Sequence, residues 1–474
     1  MNAQNNFAKN SLIFSPSGVR GIVGEGLGPE EALRLSLCFG SMIPPGTVVL
    51  GRDTRPSGEM IQRLAAAGLM STGHDVSILG IAPSPAIAFA VKKMGAVGGI
   101  IVSASHNPPS WNALKFLGPG GIALNEAQIS ELRNLYVLDS FKEVPWTSLG
   151  KAHDLSLLDD YRKALISLVD VEAIRKARLF AVIDAGNGAG SLVTPKALED
   201  SGCQVFPLNV EIDGRFRRPI EPTRESLSDL AKKVVSLGAD IGFAHDCDAD
   251  RLVCINEKGE VLGEDLTLAL IVDQILSKRK GGIVVTNVAS SMVFDDVAES
   301  HGAKVLRTRV GEAYVVEKMI ETGAIVGGEG SCGGVIIPDH LYTRDGILAA
   351  LKIVEALALR GRTASQVFAS FPRYYMARGK VPCSSGEARE VIEALKIGHS
   401  DEKLDLTDGI KIIGEKEWVL VRPSGTEPIL RVMAEAEGPR RAEELCKDLL
   451  NEVLEILSRK LGKLGPLPFF SANS

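Results

Sequence analysis

Three carboxylates at alternate positions, Asp246, Asp248 and Asp250, follow directly on the apolar run Ile241-Gly242-Phe243-Ala244. Alternate side chains in a tight loop can converge. Three hard oxygen donors suit Mg²⁺, which wants oxygens and takes its remaining ligands from a phosphate. An EF-hand is disfavoured because Arg251 stands at the sixth position, where that loop needs glycine. A second loop, Ser103-Ala104-Ser105-His106-Asn107-Pro108, puts a hydroxyl beside an imidazole after another apolar run. A hydroxyl becomes a nucleophile only with a base or metal nearby. Lys115, a few residues on, is a further proton carrier. A third loop, Arg422-Pro423-Ser424-Gly425-Thr426, supplies a guanidinium fork, two hydroxyls and glycine-exposed amides, the parts of a phosphate cradle. The polar loop Gly328-Glu329-Gly330-Ser331 adds groups that can hydrogen-bond hydroxyls. Neither a Walker A loop, nor a Gly-x-Gly-x-x-Gly opening a helix, nor a Gly-x-Ser-x-Gly elbow is present. A nucleophile, a divalent-metal site, a hydroxyl reader and a phosphate anchor point together to phosphoryl transfer on a small polar molecule.

The elements that must position these loops alternate between β-branched runs and Ala/Leu-rich helical stretches. Val48-Val49-Leu50 runs into Gly51-Arg52-Asp53-Thr54-Arg55, with a helix expected over Ile61 to Met70; Leu179 to Ile183 runs into Asp184 to Gly190; Ile283-Val284-Val285 runs into Thr286 to Ser291. The dipeptides Gly95-Ala96, Gly238-Ala239 and Gly323-Ala324 each precede the apolar run that leads to one of the chemical loops. This repetition predicts three similar α/β domains with mixed sheets, each presenting a polar loop at a strand's end. After Phe371-Pro372 the pattern changes to a helix near Glu387 to Leu395, strands over Trp418 to Val421 and Ile429 to Met433, and an amphipathic helix from Arg440. A smaller α+β C-terminal domain is expected. The limits implied are 1–152, 153–256, 257–372 and 373–474, around a central cleft on which the chemical loops converge and which closes upon binding.

Composition agrees with such a globular enzyme. Of 474 residues, 45% are hydrophobic and 24% charged, which excludes a disordered, collagenous or coiled-coil chain. A net charge of −6 argues against nucleic acid or an anionic membrane as the main partner, while leaving room for a local anion site. The cysteines, at 38, 203, 247, 254, 332, 383 and 446, are odd in number and never spaced Cys-x-x-Cys, so neither a disulfide framework nor a zinc ribbon is expected. With no leader-like start and no apolar run near the ~18 residues of a membrane helix, a cytoplasmic location is the expectation.

In four loops, in order along nearly the whole chain, the sequence resembles the α-D-phosphohexomutase superfamily. Ser103 to Pro108 looks like its phosphoserine loop, Asp246 to Arg251 like its metal loop, Gly328 to Ser331 like its sugar-binding loop, and Arg422 to Pro428 like its phosphate-binding loop. Ser17 to Gly21 and Gly51 to Arg55 also resemble family elements. The resemblance implies phosphorylated Ser105, one Mg²⁺ held by Asp246, Asp248, Asp250 and the phosphoserine, and Arg20 and Arg251 beside the transferring group. His106 and Lys115 would be the general acid/base candidates, in either order. Glu329 and Ser331 would bind sugar hydroxyls, and Arg422, Ser424, Gly425 and Thr426, assisted by Arg431, the non-reacting phosphate. Phosphate would then move between C6 and C1 of a hexose through a bisphosphate intermediate, in a monomer or homodimer acting on sugar phosphates. Two departures stand out: Asn112-Ala113 replaces the family's common Asn-Gly before its Lys, and no His ends the sugar loop. The forms of the sugar and phosphate loops favour glucosamine phosphate, with mannose or glucose phosphate as the alternative. A catalytically silent sugar-phosphate binder and a metal-dependent phosphatase are the readings from other classes.

Overall fold

In a computed structural model of the chain, residues 12–279, 281–330, 333–424, 428–461 and 469–472 are described. The strands are β1 (Ile13–Ser15), β2 (Gly18–Ile22), β3 (Thr47–Arg52), β4 (Asp75–Ile81), β5 (Gly98–Val102), β6 (Trp111–Leu117) and β7 (Ala152–Asp154) in a first sheet of order β1-β2-β6-β5-β3-β4-β7. A second sheet, ordered β11-β10-β8-β9, comprises β8 (Phe180–Asp184), β9 (Gln204–Leu208), β10 (Ile241–Ala244) and β11 (Val253–Asn256). A third, ordered β13-β12-β14-β15-β16, comprises β12 (Ile283–Asn287), β13 (Lys304–Thr308), β14 (Val326–Gly328), β15 (Val335–Ile337) and β16 (Leu341–Asp345). The last, ordered β18-β19-β20-β21-β17-β22, comprises β17 (Tyr375–Pro382), β18 (Leu404–Asp405), β19 (Ile410–Ile413), β20 (Glu417–Pro423), β21 (Ile429–Ala436) and β22 (Phe469–Ala472).

The three α/β sheets share one plan. An opening strand (β3, β8, β12) lies parallel to the next strand in the chain and, on its other side, to a later one (β5, β10, β14). That later strand then turns back antiparallel into β6, β11 or β15. The Gly-Ala dipeptides mark its entry. Gly95, Gly238 and Gly323 end helices with φ of +61°, +63° and +65°, a left-handed conformation that glycine adopts without strain. The following Ala N–H groups reach back to the carbonyls of Val91, Val234 and Met319 at 3.0, 3.0 and 3.1 Å. Each chemical loop of the first three units is therefore the same hairpin: Ser103 to Pro108 joins β5 to β6, Asp246 to Arg251 joins β10 to β11, and Glu329 and Gly330 follow β14 before β15. Arg422 lies at the end of β20 and Pro428 just before β21 in the C-terminal unit.

One continuous core joins the three α/β units, running through Val49, Ala88 and Ile101, Tyr161, Ile183 and Phe243, and Leu268, Val326 and Leu348. The six described cysteines are buried and unbridged, and among the described residues no helix is long and apolar enough to cross a membrane. The C-terminal unit has its own core, with Val381, Val391, Leu430 and Val453. Its seam with the rest holds a small apolar cluster, Val288, Trp418 and Leu420, and several polar contacts. Lys411 Nζ donates to the Val288 carbonyl at 2.7 Å, the Met292 N–H to Glu435 Oε2 at 2.9 Å, and the Val310 N–H to Asp408 Oδ2 at 3.0 Å. Lys411 lies 4.0 Å from the Trp418 ring centre, and the Trp418 Nε1–H donates to Glu435 at 2.6 Å.

This seam titrates. Burial, reinforced by Asp265, pushes Glu435 up from 4.5 to about 7. The folded state thus binds this proton more readily than the unfolded chain, so the stability it contributes is full below 4.5 and is lost as pH rises through about 7. Glu435→Gln should flatten the decline in melting temperature over that interval, read from thermal melts of both proteins across the pH series.

Candidate active site

Strand β5 is buried throughout and delivers Ser105 to the head of its hairpin. Fully buried Arg55, ion-paired with Asp53, donates from Nη2 to the carbonyls of Ser105 and Asn107 at 2.8 and 2.6 Å. Ser103 Oγ accepts the Ser105 N–H at 3.0 Å. These contacts hold Ser105 at φ +50°, a conformation that an L side chain rarely adopts and that the surroundings must enforce. Its hydroxyl, on a residue only 8% exposed, donates to Asp246 Oδ2 at 2.5 Å.

The three carboxylates of the metal loop are buried, with ligand atoms within 4.8 Å of one another. Asp248 Oδ2 accepts from Ser84 Oγ at 2.5 Å, Lys115 Nζ at 2.7 Å and Ser103 Oγ at 3.0 Å. Asp250 Oδ2 accepts from Arg344 Nη2 at 2.9 Å. The remaining oxygens, Asp248 Oδ1 and Asp250 Oδ1, are buried without a hydrogen-bond partner. Orphaned carboxylate oxygens are costly unless a ligand takes them. Burial pushes Asp246 well above the usual carboxylate range, with Asp250 and Asp248 adding to the effect. A buried cluster of three carboxylates, two of them with an oxygen left without a partner, fits a divalent cation. Close backbone packing fixes the loop: a Cβ on Gly334 would lie 2.1 Å from the Asp250 carbonyl oxygen, and one on Gly346 2.3 Å from that of Arg251.

Basic groups rim this cluster. Arg251 Nη2 lies 2.8 Å from His106 Nδ1. Since guanidinium only donates, that nitrogen accepts. Burial, followed by the charges of Arg251, Arg20 and Arg344, brings His106 down to about 2, so the imidazole is neutral at working pH. Arg251 Nε stands 3.9 Å from Asp246 Oδ2, and Arg20 Nη1 donates to Asn107 Oδ1 at 3.2 Å. Burial opposes the charge on Lys115, but Asp248 and Asp250 outweigh it and hold the ammonium above its ordinary value. The Asn112-Ala113 departure leaves Lys115 in reach of the loop: Asn112 turns to Ser57 Oγ at 2.9 Å, while Lys115 pairs with Asp248.

In the third hairpin, Glu329 Oε1 accepts from the Gly311 N–H at 2.9 Å and from Asn287 Nδ2 at 3.0 Å, and Oε2 from Arg344 Nη1 at 3.1 Å. Ser331, Gly425 and Thr426 lie outside the described residues. The structure thus brings Ser105, His106, Lys115, Arg20, Arg251 and the three Asp together, with Glu329 joined to them through Arg344. Arg422, Ser424 and Arg431 stand on the C-terminal unit. Arg422 and Arg431 face each other across β20 and β21, Arg422 Nε donates to Asp408 Oδ2 at 2.8 Å, and the Ser424 N–H closes on the Ile429 carbonyl at 2.9 Å. Sequence reasoning missed Ser84, Glu312 and Arg344. Only Arg344 carried a signal, a cation next to the Asp345 cap that opens the helix Gly346–Arg360.

Comparison with known proteins follows the same four units. Residues 11–142, 159–259 and 264–375 match the Phosphoglucomutase/phosphomannomutase alpha/beta/alpha domains I, II and III, and residues 380–452 match the C-terminal domain. A relative from Thermococcus kodakarensis, named phosphoglucomutase/phosphomannomutase, is 41% identical over 94% of this chain and 99% of its own. One from Pyrococcus abyssi, named probable phosphoglucosamine mutase, is 39% identical over 92% and 96%. A solved structure of a phosphoglucomutase/phosphomannomutase family protein from Burkholderia thailandensis superposes with a TM-score of 0.85 at 26% identity, covering 96% of this chain and 99% of that one. With all four domains matched in order and a 41% identical relative covering 94% of it, the chain belongs to the α-D-phosphohexomutase superfamily, the phosphoglucomutase/phosphomannomutase family.

Proposed function

We propose that the protein is a phosphohexomutase interconverting the 6-phosphate and 1-phosphate of a hexose, with glucosamine phosphate preferred. The observation that carries this reading is the Ser105 hydroxyl at 2.5 Å from Asp246, inside the carboxylate cluster and under the basic rim. Phosphorylated Ser105 gives its phosphoryl group to the free sugar hydroxyl: the bond from phosphorus to Oγ breaks, one to the sugar oxygen forms, and the proton lost by the hydroxyl is balanced by the one gained at Oγ. The bisphosphate turns, and its other phosphoryl group returns to Ser105. Lys115, held as an ammonium beside Asp248, supplies a proton at the departing serine oxygen, while His106, whose Nδ1 already accepts from Arg251, holds that guanidinium at the transferring group. Arg20 and Arg251 flank the transferring group, Glu329 and Ser331 hold sugar hydroxyls, and Arg422, Ser424, Gly425, Thr426 and Arg431 anchor the distal phosphate. Asp246, Asp248 and Asp250, with the phosphoserine, would hold Mg²⁺, which would supply charge neutralisation when bound.

The phosphate-loop sequence Arg422 to Pro428 and the Pyrococcus relative's name support glucosamine. The Thermococcus relative's name supports mannose and glucose as the second reading. Phosphorylated enzyme with Mg²⁺ should turn over the 6-phosphates of glucosamine, mannose and glucose with kcat/KM highest for glucosamine. No turnover of any of the three removes the mutase reading, and net phosphate release in place of isomerisation marks a phosphatase.

A further inference from the structure

Arg344, on β16, reaches three carboxylates from three separate segments. Its Nη2 donates to Asp250 Oδ2 at 2.9 Å, its Nη1 to Glu329 Oε2 at 3.1 Å, and its Nε to Glu312 Oε2 at 2.9 Å. The side chain is 12% exposed. Glu312 in turn fixes the base of this fork, accepting the Arg344 N–H at 3.0 Å and the Thr343 hydroxyl at 2.6 Å on its other oxygen. A planar guanidinium offers donors in fixed relative directions, so the carboxylates bound to it are fixed relative to one another. The pair that matters is Asp250 in the metal hairpin and Glu329 in the sugar hairpin. Asn287 and Gly311 hold Glu329 Oε1, whereas Arg344 donates to Oε2. The angle at which that carboxylate faces a sugar therefore depends on the same fork that ties down the reacting end of the site.

We infer that Arg344 is a specificity-determining positioning residue: it registers the hydroxyl-reading carboxylate of Glu329 against the phosphoryl-transfer centre, so that the configuration of the sugar is read at a set distance from the reacting atoms. The inference rests on the mutase reading above and deepens it. Charge compensation of Asp250 alone makes a different forecast, because lysine would replace arginine with little consequence. Under the positioning role lysine fails, since an ammonium is a point charge that cannot hold three carboxylates in one plane.

The test uses full-length phosphorylated enzyme with Mg²⁺ and the 6-phosphates of glucosamine, mannose and glucose. In Arg344→Lys, kcat/KM for the best sugar should fall by about 10²-fold, the scale expected when a reacting group is misplaced by about 1 Å. The two poorer sugars should fall less, contracting the ratio between best and worst by about 10-fold, a change of about 1.4 kcal/mol in discrimination. Glu312→Gln, which leaves Glu329 and Asp250 intact and loosens only the base of the fork, should contract the same ratio to a smaller extent. Thermal melts establish that each variant is folded. Should Arg344→Lys fail to fold, Glu312→Gln carries the comparison alone. Equal losses for all three sugars, or full activity in Arg344→Lys, overturn the inference. If the wild type turns over none of the three, the mutase reading fails and this inference falls with it.

Discussion

Ser105→Ala is expected to lose turnover by about 10⁶-fold, the scale on which nucleophile removal acts in other covalent mechanisms. Ser103 offers no substitute. Its hydroxyl is committed to Asp248 while accepting the Ser105 N–H, at 3.0 Å in each case. The fold should survive, because Arg55 grips the Ser105 carbonyl rather than its side chain and the φ of +50° burdens serine and alanine alike. The lost hydrogen bond to Asp246 should cost about 1 kcal/mol. Intact mass is the direct readout: wild type incubated with a hexose bisphosphate should gain one phosphate, and the variant none. A variant that still turned over would place the phosphoryl carrier elsewhere.

The second large effect is expected at Asp248. Its Oδ2 gathers Ser84, Ser103 and Lys115, while its Oδ1 is left for a ligand. Burial would raise this carboxyl, but Lys115 and the serine hydroxyls outweigh it and hold it far below the usual range. Asp248→Ala should destabilise the protein by about 3–5 kcal/mol, because a buried ammonium loses its closest counter-ion. Its next ion-pair partner, Asp250, stands at 3.9 Å. Asp248→Asn separates stability from chemistry. The amide oxygen still accepts from the serines, so the melting temperature should fall less than in the Ala variant. Turnover should still drop by more than about 10²-fold, because even supporting partners of metal ligands matter at the 10–100-fold level. Calorimetric Mg²⁺ titration of both variants should show weakened binding. An Ala variant as stable as the wild type would contradict this account of the ion pair.

The repeated units were legible because their signals are local. A Gly-Ala step ends a helix through one left-handed residue and one buried methyl, and both leave a mark in sequence. The metal hairpin was legible for the same reason, with its three donors within five residues. Ser84 and Arg344 were not. Ser84 meets Asp248 across 164 positions and Arg344 meets Asp250 across 94, and pairings of that range impose no spacing on either partner. For His106, the motif showed which residue it was and not its state. A histidine beside a serine reads as a base that could be charged, whereas burial among three arginines keeps it neutral. The seam groups Lys411, Trp418 and Glu435 lie on an ordinary β-meander pattern, and only the docking of the fourth unit turns them into a polar joint.

The way the core is divided bears on which units can part. Sliding the first three units past one another would open apolar interior to water at about 25 cal/mol per Å², so they behave as a single anvil. The chain leaves that anvil between the helix Ala364–Phe368 and β17, and past this point a separate core begins. The joint held by Lys411, Glu435 and Asp408 encloses only a small apolar cluster, so displacing the C-terminal unit there would expose less shared interior than parting any of the first three units.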